Sequence, residues 1–291
     1  MSSPQVIRTV AGLRDALEPA RRDRRVIGLV PTMGFLHAGH VSLIEAARER
    51  SDIVVMSLFV NPTQFSEGED LDSYPRDEQR DLAMAAEAGA DIVFAPSAEE
   101  VYPAGFSTHV AVEGLTDVLC GDPSRRGAAH FRGVTTVVAK LLNMADPDLV
   151  FFGQKDAQQA IVIRRMARDL DFRAEVVVMP TVREPDGLAL SSRNAYLDES
   201  ERERASALNR ALETAHSSAS SGVDGALDAA RAVLADAGIE PEYLEARYAD
   251  DLEPAQNFNG RPVLVAVAAR VGRARLIDNV VIDTVDQAEN G

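Results

Sequence analysis

The chain has 291 residues, with 46 acidic side chains against 30 basic ones and a formal net charge of −16. That balance excludes a broad nucleic-acid surface, which needs basic patches against the phosphates, and no apolar run is long enough to cross a bilayer. A hydrophobic content of 46% with 26% charged residues marks a globular protein of one large domain or two ordinary ones.

The N-terminus, Met1-Ser-Ser-Pro-Gln-Val-Ile-Arg8, lacks the apolar core of an export signal, so a cytoplasmic location is expected. Thr9 to Arg24 reads as a helix, with Leu13 and Leu17 at helical spacing. Val26 to Val30 is a continuous apolar run that suits a strand covered on both faces. It leads into Met33-Gly-Phe-Leu-His-Ala-Gly-His40, and an amphipathic helix follows to Arg50. Strand, glycine-bearing turn and helix form the arrangement that aims backbone N–H groups and a helix N-terminus at a phosphate. The plain alternative is a turn with incidental histidines.

Asp52 to Val60 is a second buried strand, broken by Pro62, which delivers Asn61 and Gln64 to the carboxyl end of the sheet. An acidic loop, Gly68 to Pro75, precedes a helix from Arg76 to Gly89 and a third strand at Asp91 to Pro96. Phe106 to Val112 alternates as a strand, and Leu115 to Cys120 reads as a short helix. Cys120 is the only cysteine, which leaves no intrachain disulfide and no cysteine-built metal site. Gly121 to Gly127 is a loop with two cations. The next helix carries Val134, Val137, Val138, Leu141 and Leu142 on one stripe, with Lys140 read as a solvated residue. Asp148 to Phe152 is a fourth strand with the exit turn Gly153-Gln-Lys-Asp156, and Gln158 and Gln159 open the following helix beside it. Lys155 is one of only two lysines, and its flexible ammonium is placed to reach a phosphate. Ala174 to Pro180 is a fifth strand.

This alternation predicts an α/β fold, a doubly wound parallel sheet, over residues 1–181. Beyond Val182 the pattern changes. Arg183 to Gly187 is a turn and Leu188 to Asn194 a polar loop. Ser200 to Glu203 has capping-box spacing before a helix, and Asp224 and Gly238 bound a second one. Val263 to Ala269 and Ala274 to Ile282 suit a small antiparallel sheet. Residues 182–291 are therefore expected to form a smaller α+β domain.

Six motifs follow in order: Pro31-Thr-Met-Gly-Phe-Leu-His-Ala-Gly-His40, Phe59-Val-Asn-Pro-Thr-Gln-Phe65, Tyr74-Pro-Arg76, His130-Phe-Arg-Gly-Val134, Phe151-Phe-Gly-Gln-Lys-Asp156 and Leu190-Ser-Ser-Arg-Asn194. The histidine turn and the later Ser-Ser-Arg loop resemble the paired signatures of the nucleotidyltransferase superfamily, and all six together resemble the pantoate–β-alanine ligase family over nearly the whole chain. The resemblance implies that ATP activates pantoate as an acyl adenylate, which β-alanine then attacks. It implies an ATP site of Met33, Gly34, Phe35, Leu36, His37, Ala38, Gly39, His40, Gly153, Gln154, Lys155, Asp156, Val182, Leu190, Ser191, Ser192 and Arg193. Within it His37, His40, Lys155 and Arg193 are the implied catalytic residues, with His40 the proton donor, and Gln64 and Gln159 grip pantoate. Mg²⁺ with ATP, Asp156 as its oxygen ligand, a C-terminal lid over ATP, a homodimer, and no nucleic-acid or membrane partner are further implications. Gln154, Ala157 and Leu190 depart from the residues common in the family, Arg126 is out of register, and Arg80 and Met84 stand where some relatives carry Asp and Gln. A plain adenylyltransferase would not account for both glutamines. An aminoacyl-tRNA synthetase does not fit a short acidic chain, and a non-catalytic nucleotide-binding dimer is opposed by the intact His37, His40, Lys155 and Arg193.

Overall fold

The computed structural model describes residues 3–65, 71, 74–125 and 127–283. Arg126, and residues 66–70 and 72–73 in and around the acidic loop, lie outside that set. Two compact units divide the chain: Met1–Gln154 with Gln158–Pro180, and Lys155–Ala157 with Thr181–Gly291. No helix among the described residues is long and apolar enough to cross a membrane.

The first unit runs β1 (Gln5–Ile7), α1 (Val10–Arg22), β2 (Ile27–Thr32), α2 (Ala38–Arg50), β3 (Ile53–Leu58), α3 (Glu78–Ala88), β4 (Ile92–Phe94), α4 (Ala98–Val101), α5 (Ala128–Ala145), β5 (Leu149–Gly153), α6 (Ala157–Asp169) and β6 (Glu175–Met179). All strand pairs are parallel, in the order β1-β4-β3-β2-β5-β6. Successive side chains of a strand point to opposite faces, and here both faces are buried. Ile27 and Leu29 pack with Leu13 and Leu17 of α1 and Val138 and Leu142 of α5. Val30 packs on the other face with Leu43, Ile44 and Ala47 of α2. Each such side chain removed from water contributes about 1.5–3 kcal/mol, so the sheet is a rigid platform for the loops at its carboxyl edge. Helix ends follow local chemistry: Thr9 caps α1 by accepting from Gly12 N at 3.1 Å, and α3 closes on Gly89 at φ 96°.

Three local expectations in the first unit are corrected. Phe106 to Val112 forms no strand. Val110 instead donates its N–H to Thr136 Oγ1 (3.0 Å) and accepts from Thr135 Oγ1 (2.6 Å), so hydroxyls of α5 satisfy the backbone that a ladder would have satisfied. Leu115 to Cys120 is a set of turns ending in a short 3₁₀ segment, Leu119–Gly121. Its polar backbone is bonded by one side chain: Gln158 donates Nε2–H to Leu115 O (2.9 Å) and Val118 O (2.7 Å) and accepts from Cys120 N (3.0 Å). Lys140 is half-buried, its ammonium 4.7 Å from the ring centroid of Phe106 and 5.9 Å from that of Tyr102, a cation–π contact rather than a solvated face.

The second unit holds α7 (Glu199–Ala205), α8 (Ala207–Ser217), α9 (Gly222–Asp236) and the antiparallel sheet β7 (Pro241–Tyr248), β8 (Val263–Val271), β9 (Ala274–Ile282). Val263, Val265, Val267, Ala269 and Val271 of β8 cluster at period two with Leu208, Leu212, Leu227 and Leu234 of α8 and α9. The capping box lies two residues before its expected place, at Asp198 and Glu201, because Asp198 has the extended backbone a cap needs while Ser200 is already helical. Asp224 sits in the first turn of α9 without capping it.

Candidate active site

From β2 the chain proceeds through β3 and β4 to one side of the sheet, and β5 and β6 lie on the other. The carboxyl ends of β2 and β5 are thus the topological switch point, where open α/β sheets leave a crevice for ligands. The Met33–His40 turn leaves β2 at that point, the Asn61–Phe65 segment leaves neighbouring β3, and Gly153 ends β5.

The turn is built differently from the amide cradle expected of it. Gly34 N donates to Thr32 Oγ1 (3.3 Å), Phe35 N to Asp81 Oδ2 (2.8 Å) and Leu36 N to Asp81 Oδ1 (2.7 Å). His37 N donates to His40 Nδ1 (3.3 Å), Gly39 N to His37 Nδ1 (3.1 Å) and His40 N to His37 O (2.8 Å). Those amides are already bonded within the protein. Phe35 has φ 51° and Gly34 φ 84°. A left-handed non-glycine residue costs about 1–2 kcal/mol. The two bonds to Asp81 offset that cost, at about 1.5–3 kcal/mol each for a charged acceptor.

The capping geometry decides the histidine tautomers. Nδ1 of His37 and Nδ1 of His40 each accept a backbone N–H in a reciprocal capping box at the start of α2. The proton of each neutral ring therefore sits on Nε2. The rings lie 4.1 Å apart between centroids, inclined at 36°.

Gln64 is brought against this turn: its Nε2 lies 2.8 Å from Met33 Sδ. Its Oε1 accepts from Asn61 Nδ2 at 3.1 Å, which orients the amide with the NH₂ toward Met33. Asn61 is buried and serves as a bracket. Its Nδ2 also donates to Gly133 O (3.1 Å), and its Oδ1 accepts from Tyr102 Oη (2.8 Å) and Thr63 Oγ1 (2.9 Å). Burial pushes the Tyr102 phenol above its ordinary pKa, with a smaller opposing effect from Thr63, so it stays a donor at neutral pH. His130 Nδ1 bonds Gln64 O at 2.8 Å. Of the two neighbouring glutamines, Gln158 is buried and spent on the 115–120 backbone, while Gln159 is half-buried in the first turn of α6.

In the second unit Lys155 and Asp156 form an ion pair at 3.7 Å, and Lys155 O accepts from Asn279 Nδ2 at 3.0 Å. Among the described residues no group of three or more His, Cys, Asp or Glu is arranged to hold a metal ion. Val182 and Leu190 close a small hairpin, with Leu190 N bonded to Val182 O at 3.0 Å. Ser191 Oγ accepts from Arg193 N at 3.3 Å and starts the 3₁₀ segment Ser192–Tyr196, which leaves Arg193 exposed. Asn194 ties this loop to Glu184 (2.7 Å), Glu184 also bonds Arg202, and Arg183 pairs with buried Asp278 through two bonds of 2.6 and 3.1 Å. Arg183→Met is expected to cost about 3 kcal/mol, the low end for one half of a buried pair, because 27% of the Arg183 side chain is exposed. Urea unfolding checks this, and an unchanged midpoint would contradict it.

The family model of pantoate–β-alanine ligase matches residues 5–281. The chain belongs to the pantoate–β-alanine ligase family. It is 52% identical to a pantothenate synthetase of Moorella thermoacetica over 286 residues, 97% of this chain and 100% of that one. The crystal structure of pantothenate synthetase from Thermus thermophilus is similar at TM-score 0.87 and 47% identity, covering 95% of this chain and 98% of that one. A pantoate–β-alanine ligase from Francisella tularensis, complexed with β-γ ATP and β-alanine, matches at TM-score 0.78 and 32% identity, covering 96% and 97%.

Within each unit, some residues that hold the candidate groups carry no local sequence signal. Tyr102 and Asn279 are 41 and 124 residues from the groups they hold. Asp81 is the exception. It lies with Ala85 and Ala88 on the buried stripe of α3, and a carboxylate on an apolar stripe is a sign of a buried bonded role.

Proposed function

We propose that this ligase joins (R)-pantoate to β-alanine through a pantoyl adenylate. The pantoate carboxylate attacks the α-phosphorus of ATP and displaces pyrophosphate. The amine of β-alanine then attacks the acyl carbon, forms the amide of pantothenate and displaces AMP. Activation is required because a carboxylate is a poor electrophile and AMP a good leaving group. The observation that carries the reading is the imidazole pair, whose bonded Nδ1 atoms leave the ring protons on Nε2. Donors of that kind strengthen as charge grows on the phosphate oxygens in a pentacovalent transition state, and positioning with charge stabilisation suffices for such a transfer.

In this reading His37 and His40 contact the phosphates, with His40 the proton donor, and Lys155 and Arg193 neutralise charge. Met33 to His40, Gly153 to Asp156, Val182 and Leu190 to Arg193 bind ATP. Gln64, with Oε1 already accepting from Asn61, presents its NH₂ to a pantoate oxygen, and Gln159 is its partner. Mg²⁺ bound to a nucleotide keeps several waters and takes one or two carboxylates. The exposed Asp156 carboxylate fits that demand and would hold it. The ion would supply neutralisation of the phosphate charge. We also assign a homodimer and a cytoplasmic location, where ATP is available.

Purified protein given ATP, pantoate and β-alanine together is expected to form pantothenate and AMP in equal amounts. Equal AMP release with unrelated carboxylates would overturn the substrate assignment. Tyr102→Phe removes the donor to Asn61 Oδ1. Its expected result is a pantoate KM raised by about 5- to 10-fold, the worth of about 1 kcal/mol in one hydrogen bond, with kcat nearly unchanged. Steady-state kinetics with pantoate varied checks it, and a kcat defect at constant KM would be the wrong pattern.

A further inference from the structure

We propose that Asp81 is the positioning residue of adenylate formation: its buried carboxylate holds the Phe35 and Leu36 amides and thereby sets the His37 and His40 rings. The inference rests on the ATP reading of this turn. Asp81 is 1% exposed and lies 45 and 46 residues along the chain from the amides it accepts, at 2.7 and 2.8 Å. The carboxylate stands where an anion would stand at such an amide pair, so the turn carries its own. Space has been left for it, because a Cβ on Gly34 would lie 2.9 Å from Asp81 Oδ2 and 2.6 Å from Leu58 Cδ1. The preceding residue holds the same segment from its side chain, with the Arg80 guanidinium 5.3 Å from the Phe35 ring centroid. Both contacts act on a residue in the left-handed region, at φ 51°, which persists only where its surroundings impose it. From Leu36 N the linkage is short. The next amide, His37 N, donates to His40 Nδ1, and His37 Nδ1 accepts from Gly39 N. A shift of the held peptide therefore moves both rings.

Asp81→Asn tests this without a change of volume, since each amide meets its own carboxylate oxygen and the carboxamide sets an NH₂ donor against one of them. Pantoate-dependent exchange of pyrophosphate into ATP is expected to slow by about 10- to 100-fold, the scale of a misplaced reacting group. The pantoate KM is expected to stay within about 2-fold, as for independent sites. If Asp81 acts through both histidines, adding Asp81→Asn to a variant that carries His37→Ala and His40→Ala together slows exchange no further. Multiplying defects, or full exchange in Asp81→Asn, would overturn the proposal. Phe35→Gly in the Asp81→Asn background separates position from stability, because glycine tolerates the left-handed backbone. It is expected to restore the melting temperature but not the exchange rate. Recovery of both would reduce Asp81 to a stabilising role. Absence of exchange in the unmodified protein would instead refute the ATP reading of the turn.

Discussion

His40→Ala is expected to release pyrophosphate from ATP and pantoate about 10²- to 10³-fold more slowly, the loss typical of one preorganised donor to a developing charge. The fold should survive. His40 is half-buried, and the change removes one capping bond, from His37 N at 3.3 Å, at a cost of about 0.5–1.5 kcal/mol. The two effects separate in one experiment: circular dichroism and melting should stay near those of the unmodified protein while pyrophosphate release collapses. Unchanged release in a folded variant would remove His40 from the chemistry.

Gly133→Ala is expected to damage stability and pantoate binding together. Gly133 lies on α5 where it crosses the Asn61–Phe65 segment. A Cβ there would sit 2.3 Å from Thr63 O, 2.6 Å from Thr63 C and 2.7 Å from Gln64 Cα. All three are backbone atoms, so no rotamer relieves the clash and the segment itself must move. Overpacking of this kind costs about 1–3 kcal/mol. The displaced segment carries Gln64, and the Asn61 bond to Gly133 O that orients it would stretch. A pantoate KM raised by more than about 10-fold, as expected when a positioned group moves, should accompany a lower melting temperature. Steady-state kinetics with pantoate varied and a thermal melt check both, and an unchanged KM would show that the segment does not hold the acid.

Much of this ligase was legible in its sequence because the signals are local. Val26 to Val30 and Asp148 to Phe152 read as buried strands and are β2 and β5, since strands covered on both faces are apolar throughout. The stripe Val134, Val137, Val138, Leu141 and Leu142 is buried on α5, and Gly89 ends α3 in the left-handed region. The missed strands, β1 and β7, are short or polar enough that only their neighbours make them strands: β1 has three residues and pairs with β4. Phe106 to Val112 has a strand's pattern but finds hydroxyls instead of a ladder.

The site divides along the same line. The sequence by itself determined the turn after β2, its two histidines, and the delivery of Gln64 to the carboxyl edge, because turn residues and continuous apolar strands are read over a few positions. Only the tertiary structure decided what fills the turn. Its amides are taken by Asp81, whose place on the stripe of α3 signals a bonded role but whose partners, 45 and 46 residues away, are known only after α3 has packed. Tertiary packing also chose between adjacent glutamines, committing Gln158 to the 115–120 backbone and leaving Gln159 half-buried in the first turn of α6. The physical reason is common to both. A polar side chain's role depends on which unsatisfied backbone group it meets, and that meeting is set by contacts far apart in the chain.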